Sequence, residues 1–554
     1  MNKATIVFVF ILLLLLPAAV WRFLDLERDP PLISGELGSW IDPGYYLYNA
    51  RSHSLFGEWR AEEGHSLYIA PGYAFLAAFW FRIFGAGYAQ AALLSILAGC
   101  VVILATAFCA ESVASEHQMG LPKYWRACAA LASLLSSYVF FALQRVPKAD
   151  MESIALCSLT ALALVGLDNA DSNGRNFRLL AASAGFGMGL VPFVKLSSGL
   201  FSLAAAAAWC ASYPVLGSEW RSRWRRATPY LLGGLLISSL IWIAWALWLY
   251  HLNMLDLMLR RSFFIFGTAI PSLAEGAPGQ ELLNYRRFLL GRFLQSNIFY
   301  RHPAETILGT VAVFRLLVGR RWNWPLFFAC VWLMVGFVSM MFIIATVRYR
   351  LLFVPPAIVL AANLWTELAA RRMPQLERRH NILIAAASAV ILAYVIVFSL
   401  SIRIGTAERW LSGYFTFTMV VLLITPVIAG LIWMSLEQLP HRCVAWALAL
   451  LMIFVSLPQW RIGERASSHQ IQEAAHWIST NRPDAVLGGW WGSELSLWTS
   501  LDCYLTWTPD AVRRVTLIVG EPADLQRAPL KSQEVGRKII SPRRLAIVFA
   551  AVER

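Results

Sequence analysis

The feature that most constrains this chain is a succession of apolar stretches, each long enough to cross a lipid bilayer. A hydrocarbon core about 30 Å thick takes about 20 helical residues. Inside it every backbone polar group must find its partner within the protein, which leaves helices as the simplest solution. Spans are expected at 4–20, 88–110, 126–143, 151–167, 179–194, 196–213, 229–250, 303–318, 325–346, 351–367, 381–399, 415–434 and 443–457, about thirteen by the length criterion. Composition agrees: 58% of the 554 residues are hydrophobic and 14% charged, against about 25% charged in soluble domains. An ordinary soluble enzyme, a disordered chain and a nucleic-acid module are excluded. The eight cysteines are scattered without a CxxC pair and only Cys503 lies in a polar region, so neither a disulfide framework nor a zinc site is implied.

The run Ala4–Val20 has the length of a signal peptide or of a first membrane helix. Trp21, Arg22 and Phe23 follow it as an interfacial anchor rather than a cleavage site, which favours the helix. With Lys3 inside, the cytoplasmic loops fall at 111–125, 168–178, 214–228, 319–324, 368–380 and 435–442. They hold Lys123, Arg175, Arg178, the cluster Arg221, Arg223, Arg225 and Arg226, then Arg320, Arg321, Arg371, Arg372, Arg378, Arg379 and Arg442, as the positive-inside rule requires of a chain with net charge +14. That rule also divides the stretch 179–213 at Lys195, because a single span would put the Arg221–Arg226 cluster outside. The expected fold class is an all-α polytopic membrane protein, a transmembrane domain over 1–457 with a small extracytoplasmic α/β domain over 458–554. An N-terminus in the cytoplasm and a plasma (inner) membrane location go with it.

Residues 21–87 form a polar, aromatic segment expected on the outer face. Asp42-Pro43 is a helix start, with a carboxylate at the cap and proline in the first turn. A second helix, opened by Pro71 and closed at Gly85, is too short to span comfortably and is expected along the membrane surface. Beyond Pro458, Ser467–Thr480 is an amphipathic helix candidate and Val515–Val519 and Leu545–Phe549 read as strands. Trp490-Trp491-Gly492 reads as strand or core packing.

Ionisable groups at the membrane boundary are candidates for function by default. Asp42 is a candidate general base, since a carboxylate beside an apolar cavity is pushed toward a useful pKa; helix capping explains it equally well. In Arg145-Val-Pro-Lys148-Ala-Asp150, Asp150 is a second candidate carboxylate and Arg145 or Lys148 a phosphate contact, the alternative being interfacial snorkelling with Asp150 and Glu152 at a helix N-terminus. Lys195, between two apolar stretches, either snorkels or holds a phosphate. Arg348-Tyr349-Arg350 puts two arginines into a short outer loop, where the planar guanidinium fork suits phosphate. His53, His65, Glu62 and Glu63 match no metal-ligand spacing, so no cofactor is expected, a divalent metal at these residues being the alternative.

The order of these parts resembles the GT-C glycosyltransferases, specifically the branch of dolichyl-phosphate-mannose–protein mannosyltransferases and the lipid A aminoarabinose transferase. Asp42 with Tyr45, Tyr46 and Asn49-Ala50-Arg51 follows the first helix. Tyr68-Ile-Ala-Pro-Gly-Tyr73 leads to Arg82-Ile-Phe-Gly85, then come Arg145 to Asp150, the glycine-rich run Gly185 to Lys195, and Arg348-Tyr349 before Pro355-Pro356. The resemblance implies an inverting transfer from a polyprenyl-phosphate-linked sugar to a glycan, lipid or protein acceptor on the outer face. Asp42 and Asp150 would be catalytic. Glu36, Tyr46, Arg51, Tyr68, Tyr73, Arg145, Lys148, Lys195, Arg348, Tyr349 and Arg350 would contact substrate. Family members often carry paired acids in the first loop; here Pro43 follows Asp42, and the partner acid is to be sought in Glu36 or Asp150. An oligosaccharide ligase or polymerase of similar architecture and a lipid-linked-sugar flippase are the alternatives. Transporters show inverted repeats and paired broken helices, and the break at Lys195 has no counterpart in a second half.

Overall fold

The computed structural model describes residues 20, 22–28, 42–60, 66–113, 125–256, 309, 312–313, 316, 322–342, 351–369, 469–540 and 545–553. Expected spans at 4–20, 381–399, 415–434 and 443–457, and nearly all of 303–318, lie outside the described residues.

The polar segment 21–87 contains helix α1 (Asp42–Phe56) and, after a single turn at Ser66–Ile69, helix α2 (Pro71–Phe84). Both start where a proline stands in the first turn, and α2 ends at Gly85 with φ near 91°. Helices α3 (Tyr88–Ser112), α4 (Trp125–Ser136), α5 (Tyr138–Gln144), α6 (Ala149–Gly166), α7 (Arg175–Val194), α8 (Gly199–Val215) and α9 (Ser218–His251) follow, then α10 (Trp324–Phe342) and α11 (Val354–Ala369). Among the described residues, five helical stretches are long and apolar enough to cross a membrane: α3, α6, α7, Leu196–Val215 and α9.

The stretch 126–143, expected as one span, is two helices. Ser137 leaves helical geometry at ψ 112° and its hydroxyl accepts the Phe140 N–H at 3.2 Å, starting α5 afresh. The last carbonyls of α4 lose their helical partners at the break and take a guanidinium instead: Arg22 donates to Leu134 O (3.3 Å) and Leu135 O (3.2 Å), and to Gln144 Oε1 at 2.7 Å. Arg22, expected as an interfacial anchor, is therefore fully buried. Lys195 does divide 179–213. Its backbone is extended (φ −154°, ψ 120°) between α7 and a 3-10 turn that leads into α8.

Small residues set the closest helix contact. A Cβ on Gly234 of α9 would collide with Ala182 O and approach Phe186 N to 2.6 Å, so α7 and α9 touch backbone to backbone. Part of the glycine-rich run of α7 serves the same packing, because Gly185 faces the Leu231 carbonyl. At 34 residues α9 is about 51 Å long, well beyond the hydrocarbon thickness. Its basic first turns tie back to the α6–α7 connection: Arg223 donates to Leu167 O and Ala170 O (3.1 and 2.7 Å) and Arg226 to Ser172 Oγ and Asn173 Oδ1 (2.9 and 2.7 Å).

The C-terminal segment forms α12 (Gln470–Asn481), β1 (Leu487–Gly488), α13 (Trp490–Ser496), β2 (Cys503–Tyr504), β3 (Leu517–Gly520), β4 (Ser532–Ile540) and β5 (Leu545–Val552). The strands make one sheet in the order β2-β1-β3-β5-β4, with β1 parallel to β2 and β3 and the pairs β3–β5 and β4–β5 antiparallel. The strands at β3 and β5 and the helix at α12 fall where the apolar patterning puts them. Trp490-Trp491-Gly492 opens a helix rather than a strand, and Trp491 is buried. A single apolar core joins this segment to α1 and α2: Tyr45, Tyr46, Tyr73 and Phe81 pack together with Ile471, Leu487, Trp491 and Phe549.

Candidate active site

The first turn of α6 organises the site. Lys148 is its N-cap residue, and Asp150 and Glu152 lie in its first turn, where the helix dipole favours carboxylates. Lys148 reaches the first residue of α1, its Nζ 3.1 Å from Asp42 Oδ2. Asp150 meets Lys195, which the end of α7 delivers, in a close ion pair. Two carboxylates and two ammonium groups, from three elements far apart in sequence, thus form two adjacent pairs on one helix end. Such charges are costly in an apolar surrounding unless paired. The pairs differ in access: the Asp42 side chain is 17% exposed and that of Asp150 6%.

Aromatic rings close one side of this group. The Lys195 ammonium lies 5.9 Å from the centre of the Tyr46 ring, and Tyr46 meets Tyr73 edge to face at 6.4 Å. The Tyr73 hydroxyl is buried and has no hydrogen-bond partner among the described residues. Burial, together with the Glu152 and Asp150 carboxylates, holds its pKa well above the ordinary tyrosine value, so it is a neutral hydroxyl.

Of the residues singled out in the sequence, the structure brings together Asp42, Tyr46, Tyr73, Lys148, Asp150 and Lys195. Three others sit elsewhere. Arg51 points into the C-terminal segment, donating to Thr499 O (3.0 Å) and Leu501 O (2.7 Å). Arg145 donates to the backbone carbonyl of Asp25 and stacks on Phe141 at 5.7 Å. Tyr68 is buried with Phe193, Trp245 and Leu249. A guanidinium also donates to backbone carbonyls, so sequence context alone does not separate that use from phosphate binding. Glu36, Arg348, Tyr349 and Arg350 lie outside the described residues, as do Glu62, Glu63 and His65. His53 stacks on Trp59 at 4.5 Å. Among the described residues no three His, Cys, Asp or Glu side chains converge as a metal site would need.

Glu152 was weighed in the sequence only as a favourable charge at a helix start. It is buried, Oε1 accepting the Ser95 hydroxyl at 2.8 Å, while Oε2 has no hydrogen-bond partner among the described residues. The sequence signal for it is a second carboxylate on the first turn of an apolar helix, which makes Glu152 a candidate.

The fold is that of the GT-C glycosyltransferases. Among solved structures, the crystal structure of ArnT from Cupriavidus metallidurans bound to undecaprenyl phosphate matches with a TM-score of 0.58 at 16% identity, covering 97% of each chain. The same protein in its apo state matches at 0.55 and 15% identity, again over 97% of each chain. The Archaeoglobus fulgidus oligosaccharyltransferase in its apo form matches at 0.48 and 12% identity, covering 92% of this chain and 69% of that one. No protein-family model and no curated protein sequence matches the chain.

Proposed function

We propose that this protein is an integral membrane glycosyltransferase that moves a sugar from a polyprenyl-phosphate donor to an acceptor hydroxyl or amine on the outer face of the plasma membrane, with inversion at the anomeric carbon. The transmembrane part is assigned to 1–457, the N-terminus to the cytoplasm, and 458–554 to the outside. The donor class draws support from the fold shared, end to end, with a structure that holds undecaprenyl phosphate, and from the absence in this sequence of a P-loop or dinucleotide fingerprint for a soluble nucleotide sugar.

The observation that carries the reading is the asymmetry of the two ion pairs. Asp150 is sealed against Lys195, whereas Asp42 pairs with Lys148 through a side chain that is 17% exposed. Asp42 is therefore the group able to receive a proton. In the proposed step the acceptor oxygen or nitrogen attacks the anomeric carbon and gives its proton to Asp42. The bond from that carbon to the phosphate oxygen breaks, and its electron pair leaves with the lipid phosphate. The transition state has oxocarbenium character. The departing phosphate calls for positive charge rather than a proton, the role assigned to Lys195, Lys148, Arg348 and Arg350. Tyr46, Tyr73 and Tyr349 are assigned to sugar contacts, and Asp150 to holding Lys195 in place. No metal is assigned a part.

Asp42→Asn keeps the size and removes the base. It should abolish transfer, measured by mass spectrometry of surface glycans in cells carrying the variant, while purified protein still binds undecaprenyl phosphate. Wild-type glycan levels with Asp42→Asn would end the base assignment. For the topology, cysteines placed at positions 57 and 217 should label from opposite sides of the membrane.

A further inference from the structure

One face of α1 is held by the C-terminal segment through polar contacts at three residues. Gly44 N donates to Glu494 Oε2 at 2.6 Å, Tyr48 Oη to Cys503 O at 3.1 Å, and Arg51 to Thr499 O and Leu501 O at 3.0 and 2.7 Å. Residues 44, 48 and 51 recur at i, i+4 and i+7, so they share one stripe of the helix. Asp42, at its start, is left to Lys148.

Of the three contacts, the one through Glu494 lies two residues from Asp42. The first N–H groups of a helix have no partner within it. Here a side-chain oxygen of Glu494 supplies one. The approach is as close as backbone allows. A Cβ at position 44 would stand 2.5 Å from Glu494 N and 2.6 Å from both Glu494 Cα and Ser493 C, so only glycine fits. Glu494 is fully buried, on the helix that Trp490 and Trp491 open. A buried carboxylate is costly to keep, and its place at this helix start asks for a reason beyond packing.

We propose that Glu494 is a positioning residue for the transfer reaction: by holding the Gly44 N–H it fixes the first turn of α1 and with it the direction of the Asp42 carboxylate. The proposal rests on the reading of Asp42 as the base. The C-terminal segment thereby takes part in catalysis without touching substrate.

The test uses the full-length protein in lipid nanodiscs and in complemented cells. Glu494→Ala should speed hydrogen exchange in the peptide spanning 42–50, and should lower surface-glycan transfer per folded molecule by about tenfold or more, the scale of a small misplacement of a reacting group. Undecaprenyl phosphate binding should stay within about twofold, since the misplacement touches the reacting geometry rather than donor affinity. Glu494→Gln keeps an oxygen acceptor and should restore both exchange protection and transfer. Should Glu494→Ala fail to accumulate, Glu494→Asp, shorter by one methylene, is measured in the same way with the same expectations.

Three results would overturn the proposal. One is wild-type transfer by Glu494→Ala while Asp42→Asn is inactive, which leaves the base reading standing. Another is loss of transfer and lipid binding together, in proportion to loss of folded protein, which marks a structural role only. The third is restored exchange protection in Glu494→Gln without restored transfer. An active Asp42→Asn would bring down the base reading and this proposal with it.

Discussion

The pair Asp150–Lys195 joins two side chains that are each almost completely removed from solvent. Removing one partner from such a pair strands a charge, which costs about 3–5 kcal/mol, whereas replacing both with apolar or neutral groups is often close to neutral. Lys195→Met alone should therefore destabilise the folded protein by that order, read from its unfolding midpoint in detergent. Adding Asp150→Asn to Lys195→Met should return most of the loss. The double variant also separates stability from chemistry: folded, it should still fail in transfer, because the ammonium assigned to the departing phosphate is gone. Recovery of both folding and transfer would reduce the pair to a structural element. The candidates that moved away from the site teach the same lesson residue by residue. Arg51, a substrate contact by resemblance, donates to two backbone carbonyls, and Arg145, a phosphate candidate by its sequence context, donates to one. The charge rule finds unusual cations; it does not say what they hold.

At the level of elements, apolar runs of bilayer length were legible because a helix in lipid must be both long and unbroken in its apolar character. That logic locates α3, α6, α7, α8 and α9 from residue type and length, and the positive-inside rule adds the backbone break at Lys195. It failed at Ser137, where the apolar character continues but the helix does not. The side chain of Ser137 competes for a backbone N–H, and a distant arginine takes up the freed carbonyls. Nothing local in 126–143 announces Arg22. Ser137→Ala removes that cap and should cost about 1 kcal/mol, measurable in the same unfolding assay. Gly234→Val offers the contrasting case. Because any Cβ there runs into the α7 backbone at Ala182, overpacking should cost about 1–3 kcal/mol or more. A variant with unchanged stability would mean that α7 and α9 are not in contact. The pairings of Asp42 with Lys148 and of Asp150 with Lys195 were illegible for a related reason. They span 106 and 45 residues of sequence, and helix packing alone decides which charges meet.

On the scale of the whole molecule, the C-terminal segment shares one apolar core with α1 and α2 and a polar seam that runs along α1. The seam continues at Arg60, whose guanidinium binds both oxygens of Asp502 (2.8 and 3.1 Å) and Cys503 O (2.8 Å) and stacks on Tyr504 at 4.4 Å. Cys503 lies beneath it, almost fully buried, with Arg51 3.8 Å from its sulfur. This thiol reports on the seam. Burial pushes its pKa up, while the Arg51 charge works in the opposite direction. Replacing Arg51 with methionine thus has two effects on labelling by a maleimide. The direct electrostatic effect makes the thiolate scarcer and the reaction slower. Opening of the seam exposes the sulfur and makes it faster. Only the second can raise the rate, so an increase is unambiguous. In a background where the exposed Cys210 is serine, the double variant Arg51→Met/Arg60→Met should label at Cys503 about tenfold faster or more, because each arginine lost removes charge-assisted contacts that resist local opening. If labelling instead slows, the apolar core alone holds the two parts together, and the arginines tune the thiol without fastening the seam.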